Sequence, residues 1–171
     1  KLSDTNSSAW LTDNFYTIDK HYKICIKHKK ALKCKDFYSV LETFCRRKDY
    51  QVDVKGLTAY LAAQNKHFSY IELSSIKTLL AVCAINKIGD LLKERQGGFL
   101  LANSVKLLFA LSNPCFGEII QILWAPEREL AKYEENYNNF DDETKTQYRI
   151  AISDYALKHS ISERDAAQNL V

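Results

Sequence analysis

Ser69-Tyr70-Ile71-Glu72-Leu73 opens a run that continues to Leu91-Leu92-Lys93, and the reading of that run decides the fold. Its apolar residues (Ile71, Leu73, Ile76, Leu79, Leu80, Val82, Cys83, Ile85, Ile88, Leu91 and Leu92) recur at helical spacing but cover most of the circumference. A helix that is apolar nearly all round is either enclosed by other helices or lies in a membrane. Lys77, Lys87 and Asp90 interrupt the run, well short of the roughly 18 uncharged residues that a span requires. The run is therefore expected to be one continuous, buried central helix. Ser69 and Glu72, three residues apart, form a capping-box pattern that marks its start.

Working outward, Gly97-Gly98 reads as the stop of this helix. Phe99 to Leu111 follows, and Leu100, Leu101, Val105, Leu107, Leu108 and Leu111 make it nearly as apolar. Two such helices joined by a short connection are expected to pack as an antiparallel pair. On the N-terminal side, a helix is expected from about Ser8 to His28, with Leu11, Phe15, Ile18, Tyr22 and Cys25 facing the core. A basic connection, Lys29 to Lys35, leads to a helix over Asp36 to Lys48 with Phe37, Val40, Leu41 and Phe44 inward. Its last turn carries Arg46, Arg47 and Lys48, where positive charge suits the helix dipole. A further helix spans about Val54 to Asn65. On the C-terminal side, Asn113-Pro114 and Pro126 read as helix starts, since proline suits the first helical position. Asp141 or Asp142 caps a helix running to His159, with Tyr148, Ile152, Tyr155 and Ala156 inward. Ser162 with Asp165 marks a last short helix.

The 171 residues are 46% hydrophobic and 26% charged, which suits one globular domain. With 5 Gly and 2 Pro there are too few turn residues for an all-β fold. The expectation is a single all-α domain over 1–171, with about eight helices around a buried central one. No Met occurs, even at position 1, which reads as an excised segment or a processed chain. No stretch reads as a signal peptide or transmembrane segment.

Chemistry is sparsely signalled. The 5 cysteines, Cys25, Cys34, Cys45, Cys83 and Cys115, show no CxxC pairing; they read as reduced thiols, buried at Cys45 and Cys83, in a cytosolic domain. Cys25 and His28, with Cys34 nearby, lack the second close pair that zinc requires, so no metal site is expected. No G-x-S-x-G, G-x-G-x-x-G or P-loop is present, and neither a catalytic residue nor a cofactor is expected. Asp141-Asp142-Glu143 could suggest a paired-carboxylate site, but at a helix start these acids act more simply as cap and dipole partners. The lysines between Lys20 and Lys35, with Tyr22 among them, could meet phosphate. The net charge of +3 argues neither for nor against nucleic acid, but the acidic residues from Glu127 to Glu143 reverse the sign in the other half and disfavour it as the partner.

Three segments, in order, carry a family resemblance. They are Trp10-Leu11-Thr12-Asp13-Asn14-Phe15-Tyr16 with Asp19 and His21; Gly56-Leu57-Thr58-Ala59-Tyr60-Leu61 through Phe68 into Ile71-Glu72-Leu73; and Ala102-Asn103-Ser104-Val105 with Leu107 to Leu111, followed by Tyr137 to Arg149, then Ser162-Glu163 and Ala166. Together they resemble the N-terminal, non-catalytic region of cyclic β-1,2-glucan synthases. The resemblance implies an accessory helical scaffold or interaction module at the cytoplasmic face of a membrane, whose partners are the synthase's other domains or another protein. It implies no active site in this chain. A helical adaptor for another protein and a nucleic-acid-binding helical domain are the alternatives. Asn14, Tyr16, Tyr148 and Arg149 are the candidate polar interaction residues. Their structural role would be buried tyrosine hydroxyls and an arginine satisfied by carboxylates such as Asp13 or Asp19.

Overall fold

The computed structural model of the chain describes residues 4–27, 33–94, 96, 98–111, 116–133 and 136–170. His28, the connection over 29–32, Gly97, Asn113-Pro114, Cys115, Glu134 and Glu135, with the side chains of Trp10, Leu11 and Cys25, lie outside this description. Ten α-helices occur among the described residues, and no strand. They are α1 (Asp4–Lys27), α2 (Lys35–Arg47), α3 (Val54–Ala62), α4 (Tyr70–Ser74), α5 (Ile76–Lys93), α6 (Phe99–Ala110), α7 (Gly117–Leu123), α8 (Pro126–Tyr133), α9 (Asp142–His159) and α10 (Glu163–Leu170), with a 3₁₀ turn at Tyr137–Asn139. The all-α expectation is met. Among the described residues, no helix is long and apolar enough to cross a membrane.

The chain divides into two compact units. One holds α1, α2, the start of α3 through Leu57, α5 and α6; the other holds α3 from Thr58, α4 and α7 to α10. In the first unit, α5 packs against α1, α2 and α6. Enclosure on these sides explains why Leu79, Leu80, Cys83, Ala84, Ile88 and Leu91 are all buried although they do not share one face. Each large apolar side chain removed from water contributes roughly 1.5–3 kcal/mol. Phe37, Leu41, Phe44 and Cys45 supply the cover from α2, and Leu101, Val105, Leu107 and Leu108 that from α6.

The expected continuous helix is broken. α4 ends at Ser74 and α5 begins at Ile76, with Ser75 between them at φ −85, ψ −8. Adjacent serines are a recurrent cause of helix kinks. The Ser74 hydroxyl donates to the Ile71 carbonyl at 3.2 Å and competes there with the backbone ladder. At the other end, the Gln96 amide donates to the Leu91 carbonyl at 2.8 Å, a six-to-one closure. Gly98, at φ 94, precedes α6, a left-handed conformation that suits glycine.

The caps agree with the sequence reading. The Ser69 amide donates to Glu72 at 2.9 Å and the Glu72 amide to the Ser69 hydroxyl at 3.2 Å. The Asp165 amide donates to the Ser162 hydroxyl at 3.0 Å, and the Thr144 amide to Asp141 at 2.7 Å. That bond from the Thr144 amide holds the Asp141 carboxyl below its ordinary range. After α2, Asp49 and Tyr50 both take positive φ, 47 and 62, which is uncommon outside glycine. They are held by the Tyr50 amide, which donates to the Cys45 carbonyl at 2.8 Å, and by the buried Asn103 amide group, which donates to the Asp49 carbonyl at 2.9 Å. Cys45 and Cys83 are free and buried, as expected of small hydrophobes. The neighbouring Cys45 thiol and burial push the Cys83 thiol well up.

α1 departs most from expectation. Among the described side chains of α1, those that turn from solvent are Asn14, Thr17, Ile18, His21 and Ile24, with Asp19 at the edge. Phe15 and Tyr22, expected in the core, are 65% and 52% exposed. Two stripes of the same period run along this helix one residue apart, and the more polar one faces α5 and α6. His21 is buried, and its Nε2 has no partner. Burial first, then Lys20 and Lys77, lower its pKa from 6.5, against a hydrogen bond to the Leu108 backbone that raises it.

A base whose pKa falls on folding binds protons more readily in the unfolded chain, so acid favours unfolding. His21 should therefore make the protein progressively less stable as pH drops below 6.5 towards its lower folded value, and have no such effect above 6.5. Urea unfolding at a series of pH values from 8 to 5 checks this: His21→Gln should show a shallower acid loss than the natural chain.

Candidate functional site

Two places in the described structure offer more than packing. The first is the outward face of α1. Phe15 and Tyr22 are seven residues apart on one stripe, and Tyr16, 78% exposed, stands beside Phe15. On the same helix Lys23 Nζ pairs with Asp19 at 2.6 Å. Large aromatic side chains left in water on a helix are the residue types that anchor protein interfaces.

The second is in the other compact unit, where polar groups organise the core. Arg149 of α9 is buried and meets Glu127 of α8 through two parallel bonds, Nη2 to Oε1 at 2.7 Å and Nε to Oε2 at 3.0 Å. The Tyr137 hydroxyl donates to the same Oε2 at 3.1 Å. Burial pushes the Tyr137 phenol up, and the Glu127 carboxylate adds to it. Burial acts to lower the Arg149 pKa, but the Glu127 carboxylate outweighs it and the net shift is upward. Around this triad the rings of Tyr137, Phe140 and Tyr148 pack with centroids 5.5 to 6.1 Å apart.

Glu163, the first residue of α10, does equivalent work across 93 positions of sequence. Its two carboxylate oxygens accept from the Tyr70 amide at 2.9 and 3.1 Å, and Oε2 also accepts from the Trp124 indole at 2.7 Å. One carboxylate thus satisfies the otherwise orphaned first amide of α4 and the polar edge of a fully buried tryptophan. The Tyr70 and Trp124 rings lie 5.6 Å apart. Beside this anchor runs a groove of about 650 Å³, with Phe68, Ile71, Pro126, Ala156, Leu157 and Ile161 as apolar walls and Ser153, His67 and Arg164 among its polar lining.

Of the four residues singled out in the sequence, Tyr148 and Arg149 are brought into one cluster with Tyr137. Asn14 and Tyr16 lie on α1, in the other unit. Arg149 is satisfied by a carboxylate, but the partner is Glu127 rather than Asp13 or Asp19, and Asp19 is engaged with Lys23. Ser153 escaped the sequence reading, and so did the roles of Glu127 and Glu163. In sequence Glu127 is one of a run of acids and Glu163 one residue of a resembling segment; only their partners in space give them another role. Among the described residues no three His, Cys, Asp or Glu side chains gather as a metal set. Cys25 and His28 lie outside that search. Scans against protein-family models, curated proteins and solved structures find no match to this chain.

Removing one partner of a buried, bidentate pair strands the other charge, which costs about 3–5 kcal/mol. Arg149→Met should therefore destabilise the protein by that order, read from urea unfolding followed by Trp fluorescence. The double change Arg149→Met with Glu127→Leu should recover only part of the loss, because it leaves the buried Tyr137 hydroxyl without its acceptor.

Proposed function

We propose that the chain is a helical protein-interaction module, non-catalytic in itself, that engages its partner through the aromatic face of α1. One observation carries the reading. α1 turns its more polar stripe inward and leaves Phe15, Tyr16 and Tyr22 more than half exposed. Folding alone gains nothing from that choice, since the aromatic stripe has the same period and would bury more apolar surface. A partner that covers these rings recovers the difference.

The resemblance to the N-terminal region of cyclic β-1,2-glucan synthases supplies a specific candidate for that partner: the remaining domains of such a membrane synthase, with the module at their cytoplasmic face. Its support is the three sequence segments, and the first of them, residues 10–16, contains Phe15 and Tyr16 of the exposed face. An unrelated protein partner is the alternative. The nucleic-acid reading is weakened by the engagement of Lys23 with Asp19 on the same helix.

The test compares the natural chain with the double variant Phe15→Ser, Tyr22→Ser. Both side chains are exposed, so the variant should stay within about 0.5 kcal/mol of natural stability. The first bait is a detergent-solubilised cyclic β-1,2-glucan synthase freed of its own N-terminal region, with binding read by surface plasmon resonance. A loss of thirtyfold or more in the variant is expected, the scale of an interface anchor. Absence of binding by the natural chain removes the synthase as partner. The comparison is then repeated with whatever protein crosslinks to a photoreactive residue placed at Tyr22. Equal affinities of the natural and variant chains would sink the α1 reading.

A further inference from the structure

We propose that the groove beside Glu163 binds a small, uncharged amphiphile: an apolar body that leads with one neutral hydrogen-bonding group, such as a hydroxyl, to Ser153. The argument starts from the Ser153 hydroxyl. Ser153, on α9, is only 3% exposed, and its Oγ has no hydrogen-bond partner in the protein. A buried polar atom left in this state costs about 1–3 kcal/mol, and native structures hold few of them. Ser153 is also part of the lining of the groove, so its Oγ, though closed off from water, sits behind that wall and needs a turn of its side chain to meet an entering group.

The walls set the rest of the ligand. Phe68, Ile71, Ala156, Leu157 and Ile161 present hydrocarbon, and Leu157 is 64% exposed, so its side chain has little other cover. A volume of about 650 Å³ is of the size that takes small molecules.

The charges of the groove are already engaged and so favour a neutral ligand. The Glu163 carboxylate is occupied by the Tyr70 amide and the Trp124 indole. The Arg164 guanidinium is committed through Nε and Nη2 to Glu129, at 3.2 and 2.9 Å. The Glu163 and Arg164 charges in the lining are thus both engaged, and their signs cancel; the His67 imidazole is the remaining titratable group there. An anion or a cation pushed against Ser153 would be desolvated without a counter-charge, which is unfavourable. A hydroxyl both donates and accepts, so the Ser153 Oγ can meet a neutral alcohol, amide or carbonyl equally well.

The probes are 1-octanol, octanoate and octylammonium at pH 7.4, titrated into the ¹⁵N-labelled full chain and followed by amide chemical shifts. Octanol is expected to shift Ser153, Leu157 and Ile161 saturably, with each ion at least tenfold weaker. Ser153→Ala should weaken octanol by about five- to tenfold, the effect of one hydrogen bond. It should leave the melting temperature equal or higher, because it deletes an unsatisfied hydroxyl. Leu157→Asp, at an exposed position, should abolish octanol binding while the far-UV circular dichroism is unchanged. The proposal fails if octanol produces no saturable shift up to its solubility, if the shifts map elsewhere, if either ion binds as tightly, or if Ser153→Ala binds octanol like the natural chain.

Discussion

An eighteen-residue helix whose apolar residues cover most of its circumference cannot stand in water alone, and α5 is such a helix. It has to be covered by several neighbours at once. That requirement recruits α1, α2 and α6 around it and gives the first unit its form. It also explains why the flanking helices are of different character. α2 is sharply two-sided, with Phe37, Leu41, Phe44 and Cys45 inward and Arg46 and Arg47 in water, whereas α6 is apolar over most of its length.

The second unit obeys a different rule. Its helices other than α9 are short, and several carry a charged group into the interior. Glu163 and Glu127 each collect donors from elements distant in sequence: a backbone amide and an indole in one case, a guanidinium and a phenol in the other. These bonds have direction, so they set position where apolar contact alone would tolerate sliding. Such a framework can keep a groove open along α9 and the start of α10 because its walls are fixed from behind.

Much of the fold could be read from periodicity and caps. The Ser69–Glu72, Asp141 and Ser162–Asp165 helix starts are all present, as are the inward residues of α2, α6 and α9. Three features were not readable, for reasons that are physical. The break at Ser75 is a local competition between side-chain and backbone acceptors, and the surrounding hydrophobicity gives no sign of it. The facing of α1 depends on a choice between stripes one residue apart: hydrophobicity favoured burying Phe15 and Tyr22, which the structure leaves outside, while Ile18 turns from solvent as expected. The partners of Glu127, Glu163 and Arg149 lie 10 to 93 residues away, and no spacing rule reaches that far. Tyr148 and Arg149 were identified from the sequence, but the orphaned hydroxyl of Ser153 had no signature there at all.

The two units are interleaved along the chain: α4 belongs with helices that follow α6, and the amide it offers to Glu163 waits for a residue 93 positions later. During synthesis, then, α4 leaves the ribosome long before its counterpart exists. At typical elongation rates of about 5–20 residues per second, that delay lasts on the order of 5 to 20 seconds. The first unit is completed by α6 and can consolidate within the interval, while the buried face of α4, with Tyr70 and Leu73, stays uncovered. A nascent chain of this design has a window in which it invites chaperones, and shortening it from the C-terminus would leave that window open for good.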